Sequence, residues 1–246
     1  MCRNLSILLL AWTTISQSFG QRQDFEQPIQ QFFISKIVFP QEKGEWEITI
    51  IPALRKSDVA KDLELGWKVE YGASDKLELE LEMSYLWLNP AGLSHPRGLG
   101  NVELGVLYNF VPLDRPVGVS VSSEVELPAG DKDVTDDEVE WQTLLILAKS
   151  FGRAQVHFNV GVDLAEDHHK FIYNVASVIP LDQSFALTLE VNGIELIEEH
   201  APYLTPGLYF RAFDEEPLFE LGVGFPIALS GDSTPWGIIG KLTLEF

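Results

Sequence analysis

Three things are scarce in this sequence of 246 residues: cysteine, basic side chains and long apolar runs. The one cysteine, Cys2, stands at the very start, so the rest of the chain has no disulfide framework. The chain has 17 Lys and Arg against 37 Asp and Glu, a formal net charge of −20. This balance argues against nucleic acid as a partner, because phosphate binding needs clustered Lys and Arg. No apolar run reaches the roughly 20 residues that a transmembrane helix needs.

The amino terminus has the pattern of a secretory leader. Arg3 is followed by the apolar run LSILLLAW at residues 5–12 and by the small-x-small ending Ser18-Phe19-Gly20. We therefore predict a signal peptide at residues 1–20 that is cleaved after its last glycine. Cys2 precedes the apolar run, so it cannot become the lipidated residue of a lipoprotein.

Strict alternation of apolar and polar residues is the main pattern of the remaining chain. In KLELELEMSYLWL, residues 76–88, the leucines and aromatic side chains point to one face and Glu78, Glu80 and Glu82 to the other. Such a strand can turn its apolar face to the core of a soluble sheet or to the lipid around a membrane barrel.

The spacing of the alternating segments decides between these two settings. We predict about twelve strands, each near the roughly 9 to 11 residues of a tilted membrane strand. They are placed at 45–55, 62–72, 76–88, 99–111, 116–128, 138–150, 153–165, 170–180, 184–194, 202–213, 217–229 and 235–246. Long and short links alternate, as in an outer-membrane barrel with short periplasmic turns and longer external loops. The pattern weakens at 138–150 and 170–180, where some stretches are apolar on both faces.

These observations predict an all-β fold, a transmembrane antiparallel up-and-down β-barrel over residues 45–246 in the bacterial outer membrane. The Gln-rich residues 21–44 would be a periplasmic lead-in or a short plug. The closing strand ends on Phe246, on the same predicted face as Leu244 and Leu242. A terminal aromatic residue on the lipid side resembles the signal read by the barrel assembly machinery, and Phe246 is the predicted assembly signal.

The polar faces of the strands would line a lumen. The predicted lumen-lining residues are Glu64, Lys68, Glu70, Glu78, Glu80, Glu82, Glu103, Glu124, Glu126, His157, Asp163, Glu190, Tyr209, Arg211, Glu220, Lys241 and Glu245. Acidic residues outnumber basic ones, so we predict a passive channel or transporter for small solutes that prefers cations. Two alternatives stay open: a plugged structural or adhesive barrel whose external loops bind partners, and a soluble secreted lipid-binding β-barrel.

Catalytic and metal-binding patterns are weak. His95, His168, His169 and His200 fall in predicted loops without a serine at a recognisable spacing, and the sequence has no Gly-x-Ser-x-Gly motif. The adjacent histidines of DLAEDHHK diverge and cannot easily share one metal ion. We expect no enzymatic activity, no metal and no cofactor. The expected partners are outer-membrane lipid and lipopolysaccharide, the barrel assembly machinery and a small solute.

Three stretches carry a family resemblance: FPQEKGEWEITI at residues 39–50, GLGNVELGVLYNF at 98–110 and PLFELGVGFPIAL at 217–229. With them, the sequence resembles the outer-membrane β-barrel family labelled MetA-pathway of phenol degradation. It departs from that family's Gly-x-Gly-Asp pattern at Asn101. The resemblance implies a barrel in the outer membrane with a transport role, and it supplies no catalytic residues.

Overall fold

The computed structural model describes residues 27–57, 60–89, 95–111, 115–166, 169–195, 202–212, 217–229 and 235–246. The predicted signal peptide, His168 and His200 lie outside these residues. Within the described ranges, no helix is long and apolar enough to cross a membrane.

The described strands form one antiparallel sheet that closes on itself. They are β1 (Trp46–Lys56), β2 (Lys61–Ser74), β3 (Leu77–Trp87), β4 (Arg97–Asn109), β5 (Val117–Leu127), β6 (Glu140–Phe151), β7 (Ala154–Leu164), β8 (His169–Pro180), β9 (Phe185–Glu195), β10 (Tyr203–Arg211), β11 (Leu218–Gly224), β12 (Ile227–Ala228) and β13 (Trp236–Glu245). From β1 to β11 each strand pairs with the next, and both β11 and β12 pair with β10 on one side and with β13 on the other. Pairing of β1 with β13 closes the barrel. Because β11 and β12 are two parts of one strand position, the barrel has twelve such positions, and the predicted fold class is confirmed.

One predicted strand, at residues 217–229, is interrupted. Pro226 has no backbone N–H and cannot donate to the ladder. Its carbonyl still accepts a hydrogen bond from Gly237, at 2.8 Å, and the N–H of Phe225 donates to Pro206 at 3.0 Å. The other eleven predicted strands begin and end within two residues of the observed bounds.

The outer face of the barrel is apolar. In β3, Leu79 is 43% exposed whereas its neighbour Glu78 is 3% exposed, so the glutamates point inward and the leucines outward. A soluble barrel with an apolar core requires the reverse arrangement, so that alternative is wrong.

Aromatic pairs mark both ends of the barrel. We call the end that carries Gly44 and Phe246 the terminal end, and the other the opposite end. Trp46 and Tyr71 lie 4.6 Å apart between ring centroids at the terminal end, and Tyr85 and Trp87 lie 4.5 Å apart toward the opposite end. Aromatic residues at these two levels are typical of the lipid interfaces of a membrane barrel.

The hydrophobic core lies inside the barrel. Residues 27–44, here called the inner segment, bring Phe32, Val38 and Phe39 against inward-facing apolar side chains. Those wall side chains include Leu144 and Ile146 of β6 and Ala176 and Val178 of β8. The stretches at 138–150 and 170–180 are therefore apolar on both faces because one face meets the inner segment. The interior wall therefore has an apolar part under the inner segment as well as the acidic side chains of the other strands.

Close backbone contact fixes the end of the inner segment against β2. Gly44 donates its N–H to the carbonyl of Gly72 at 2.8 Å, and Gly72 donates to Glu45 at 3.0 Å. A Cβ atom at Gly72 would overlap the carbonyl oxygen of Glu42 and would lie 2.8 Å from that of Gln41. Only glycine allows the two backbones to approach this closely.

We expect Gly72→Ala to lower the free energy of unfolding by about 1–3 kcal/mol, since a backbone must shift to admit the methyl group. Gly66→Ala on the same strand is the matched control, because its Cβ atom would lie 3.4 Å from that of Ile51, an ordinary contact. Urea unfolding of the refolded barrel in detergent measures both. Equal losses for the two variants would contradict the close approach at Gly72.

Candidate functional site: the barrel interior

The inner segment enters and leaves the barrel at the terminal end. Near its start, the N–H of Gln30 donates to Glu220, which lies two residues into β11, at 3.0 Å. Near its end, the N–H of Gln41 donates to Glu78, which lies one residue into β3, at 2.7 Å. The intervening residues bend through the interior, fill the terminal half of the barrel and reach past the middle of β9, where the side-chain amide of Asn192 donates to Ser35 at 3.0 Å.

Glu190 of β9 holds the middle of the inner segment. Its carboxylate accepts the backbone N–H groups of Phe33, Ile34 and Ser35 at 2.8, 3.1 and 2.7 Å. Three consecutive N–H groups on one carboxylate form a set of charge-assisted hydrogen bonds, which are stronger than neutral ones. We call Glu190, Glu220 and Glu78 the anchoring carboxylates, because each binds the backbone of the inner segment.

Two lysines neutralise part of the acidic wall. Lys36 of the inner segment pairs with Glu80 at 2.6 Å and with Glu124. Lys68 of β2 pairs with Glu70 at 2.7 Å and with Glu80 at 2.9 Å. Burial opposes the charged form of Lys36, but Glu124 and Glu80 outweigh it and raise the pKa of Lys36 above its ordinary value. Glu80 therefore forms ion pairs with both lysines, and its negative charge is neutralised.

A row of four carboxylates crosses the wall nearer the opposite end. Glu82 of β3 is the cross-strand partner of Glu103, Glu103 of Glu126, and Glu126 of Glu140 on β6. We call these four residues the acid row. Within the described residues, Glu82 and Glu103 have no salt bridge, while Asn101 donates to Glu126 at 2.8 Å. Like charges directly opposite one another repel, and at the end of the row Glu140 pairs with Lys170 at 3.4 Å.

Open space adjoins the acid row. One cavity of about 590 Å³ is lined by the whole row, together with Arg55, Glu64 and residues 132–136. A second cavity of about 580 Å³ lies between the inner segment and Tyr203, Pro235 and Trp236 toward the opposite end. The two cavities share Arg55, Glu64, Glu82 and Glu103 in their linings. Among the described residues, the open space lies toward the opposite end and the inner segment fills the interior toward the terminal end.

All the predicted lumen-lining residues face the interior, but in different settings. Buried ones are Lys68, Glu70, Glu78, Glu80, Glu124, His157, Asp163, Glu190, Tyr209, Glu220, Lys241 and Glu245, and half-buried ones are Glu64, Glu82, Glu103, Glu126 and Arg211. Several are already engaged: Arg211 pairs with Glu220 at 3.3 Å, Lys170 with Asp163 at 3.4 Å, and Tyr209 stacks on Phe33 with ring centroids 4.7 Å apart. Their role in lining a path for solutes stays a prediction. Phe246 lies exposed on the outer face, and its role in assembly stays a prediction as well.

Sequence reasoning missed several interior residues. Glu47 is fully buried and accepts hydrogen bonds from Gln31 at 2.6 Å and Gln41 at 2.8 Å. The alternation of WEITI could have placed Glu47 inside, opposite to Trp46 and Ile48. No periodic signal marks Gln31, Gln41 or Lys36, because the inner segment has no regular structure.

Solved outer-membrane barrels share this architecture. An outer membrane channel from Pseudomonas putida F1 has a TM-score of 0.65 at 11% identity, over 85% of this chain and 98% of that chain. The KdgM porin has a TM-score of 0.53 at 8% identity, over 78% and 97%. The translocator domain of the autotransporter NalP from Neisseria meningitidis has a TM-score of 0.51 at 7% identity, over 99% and 96%. No protein-family model matches the sequence, and no curated protein matches it.

The closed antiparallel barrel, its apolar outer face and these likenesses define an outer-membrane β-barrel. The predicted fold class and its location in the bacterial outer membrane are confirmed at this level. Identities of 7–11% show the fold and leave the predicted family label untested.

Proposed function

We propose that this barrel is a passive channel for small solutes, that its interior prefers cations and that the inner segment is its plug. The acid row carries this proposal. Glu82 and Glu103 face open space without a salt bridge among the described residues, and fixed negative charge beside a wet cavity favours cations over anions. The resemblance to the family labelled MetA-pathway of phenol degradation also supports a transport role without catalysis.

The plug role rests on how the inner segment is held. Its contacts with the wall are hydrogen bonds, ion pairs and apolar packing, among them the three bonds of Glu190. Such contacts can break and reform without covalent change. A solute that reaches the second cavity from the opposite end meets Ile34 and Lys36 of the segment, so displacement of the segment would open the terminal half.

Charge also bears on the class of solute. The KdgM porin has been solved in complex with disordered oligogalacturonate, with a TM-score of 0.51 to this chain. That ligand is a polyanion, which the acid row of this barrel would repel. We therefore infer that small cations and neutral solutes, rather than acidic oligosaccharides, pass through this interior.

A second candidate function is a permanently filled barrel whose external loops bind partners. The apolar packing of the inner segment favours it, since Ile29, Phe32 and Val38 are almost fully buried against the wall. The two candidates differ in conductance. A filled scaffold passes no ions, whereas a plugged channel conducts whenever the inner segment is displaced.

The test is the reversal potential of the refolded mature chain in a planar bilayer under a KCl gradient. We expect a cation-selective current, and we expect the double variant Glu82→Gln/Glu103→Gln to reduce the reversal potential by about half or more, because the fixed charge beside the cavity selects the ion. The control Glu42→Gln/Asp75→Asn removes two charges at exposed positions of the terminal end. If the Glu82→Gln/Glu103→Gln variant left the reversal potential unchanged, or if the control variant reduced it equally, the acid row would not be the source of the ion selectivity.

A further inference from the structure

The only histidine predicted to face the lumen sits beneath the inner segment. His157 of β7 is completely buried, and neither ring nitrogen has a hydrogen-bond partner among the described residues. Its ring meets Phe32 edge-on at a centroid distance of 5.0 Å and lies 6.2 Å from the ring of Phe39. Both phenylalanines belong to the inner segment, so this imidazole forms part of the surface on which the segment rests.

Among the described residues, the partners of His157 across the sheet are uncharged. Its cross-strand partners are Ala148 on β6 and Ala176 on β8. On its own strand the inward neighbours are Gln155 and Asn159, and Asn159 bonds both the N–H and the carbonyl of residue 36 of the inner segment, at 2.8 and 3.0 Å.

The charged groups described on the neighbouring elements have other partners. On the inner segment, Lys36 pairs with Glu80 and Glu124. On β9, Glu190 is the cross-strand partner of Ala176 and binds the inner segment. Further along β7, Asp163 pairs with Lys170 of β8.

We infer that His157 is a proton-sensitive latch, whose neutral ring lets the inner segment dock and whose protonation favours displacement of the segment. A protonated ring has two N–H donors and one positive charge, and in the docked state neither ring nitrogen has a hydrogen-bond partner among the described residues. Burying an unpaired charge or an unbonded donor is costly. Displacement of Phe32 and Phe39 would expose the ring to water, which solvates the charged form.

Linkage gives the direction and the pH range. The displaced state binds the proton more tightly than the docked state, so a falling pH shifts the equilibrium toward displacement. A hydrated imidazole has a pKa of about 6.5, so the ratio of displaced to docked molecules would rise up to about 30-fold between pH 7.5 and pH 5.0. Above pH 7.5 the ratio should be constant.

A spin label on the inner segment measures this directly. Ile34 is 41% exposed, and the chain without its predicted signal peptide has no cysteine, so Ile34→Cys gives one labelling site. Electron paramagnetic resonance of the labelled, refolded barrel should show a growing mobile fraction as the pH falls from 7.5 to 5.0. In His157→Phe, which keeps a ring between the two phenylalanines, the mobile fraction should stay at its pH 7.5 level.

The control is His95→Gln, which removes an exposed histidine at the opposite end and should leave the pH response unchanged. A response that persists in His157→Phe, or a label whose mobility does not change with pH in the parent barrel, overturns the inference. The readout does not depend on ion flow, so its failure is distinguishable from failure of the proposed channel function.

Discussion

Deletion of residues 27–44 raises the single-channel conductance severalfold, if the inner segment is the plug of this barrel. The deletion removes the phenylalanines and the backbone that fill the terminal half and leaves the twelve-position wall intact. Eight strands enclose little more than their own side chains, whereas about 16 strands leave an aqueous channel, so twelve should leave a narrow passage. Planar-bilayer recordings of the parent and the shortened chain measure the difference.

Folding has to be separated from conduction in this experiment. A shift in electrophoretic mobility on heating shows that the shortened chain has formed a barrel. A point variant, Phe32→Ala/Phe39→Ala, keeps the length of the chain and should give an intermediate conductance, because it weakens apolar packing without removing the backbone. A shortened barrel that folds and yet passes no current would favour the filled scaffold, the second candidate function.

Glu190→Gln is expected to lower the free energy of unfolding by about 2–4 kcal/mol. The glutamine side chain is nearly isosteric, but it replaces one acceptor oxygen by an NH₂ group. Three N–H donors, from Phe33, Ile34 and Ser35, then share one neutral acceptor inside the barrel. Urea unfolding of the refolded protein in detergent measures the loss.

The matched control is Glu64→Gln, which disrupts the pair with Arg55 at the opposite end. The Arg55 side chain is 70% exposed, and an ion pair of this kind is worth about 0–1 kcal/mol. If Glu190→Gln cost no more than this control, Glu190 would not hold the inner segment. A second probe is the spin label at residue 34, which should become mobile at neutral pH in Glu190→Gln and stay immobile in Glu64→Gln.

The strands and their faces could be predicted from the sequence because both depend on a short period. Leu79 and Glu80 differ by one position, and one residue in a strand is enough to turn a side chain from lipid to lumen. Pro226 also interrupts its strand for a local reason, because it lacks a backbone N–H. The alternating pattern at residues 217–229 nevertheless predicted one continuous strand.

Which interior carboxylates form ion pairs could not be predicted in this way. Glu80 and Glu82 stand in the same alternating run, yet Glu80 has two lysine partners and Glu82 has no salt bridge among the described residues. The difference depends on where Lys36 comes to lie, and the path of an irregular segment across a barrel leaves no periodic mark in the sequence. The direction of the Leu144 side chain could not be predicted for the same reason. It is an apolar side chain on the inner wall, and only its packing against the inner segment explains that position.

The closing seam of the barrel bears on the order in which the molecule assembles. Trp46 and Phe246 exchange two backbone hydrogen bonds of 2.9 Å, so the first and last strands meet only once the whole chain has been made. The inner segment directly precedes that first strand, and both of its ends lie at the terminal end. This arrangement allows the inner segment to enter a finished cylinder from one end, so closure of the wall does not require the segment to be docked first.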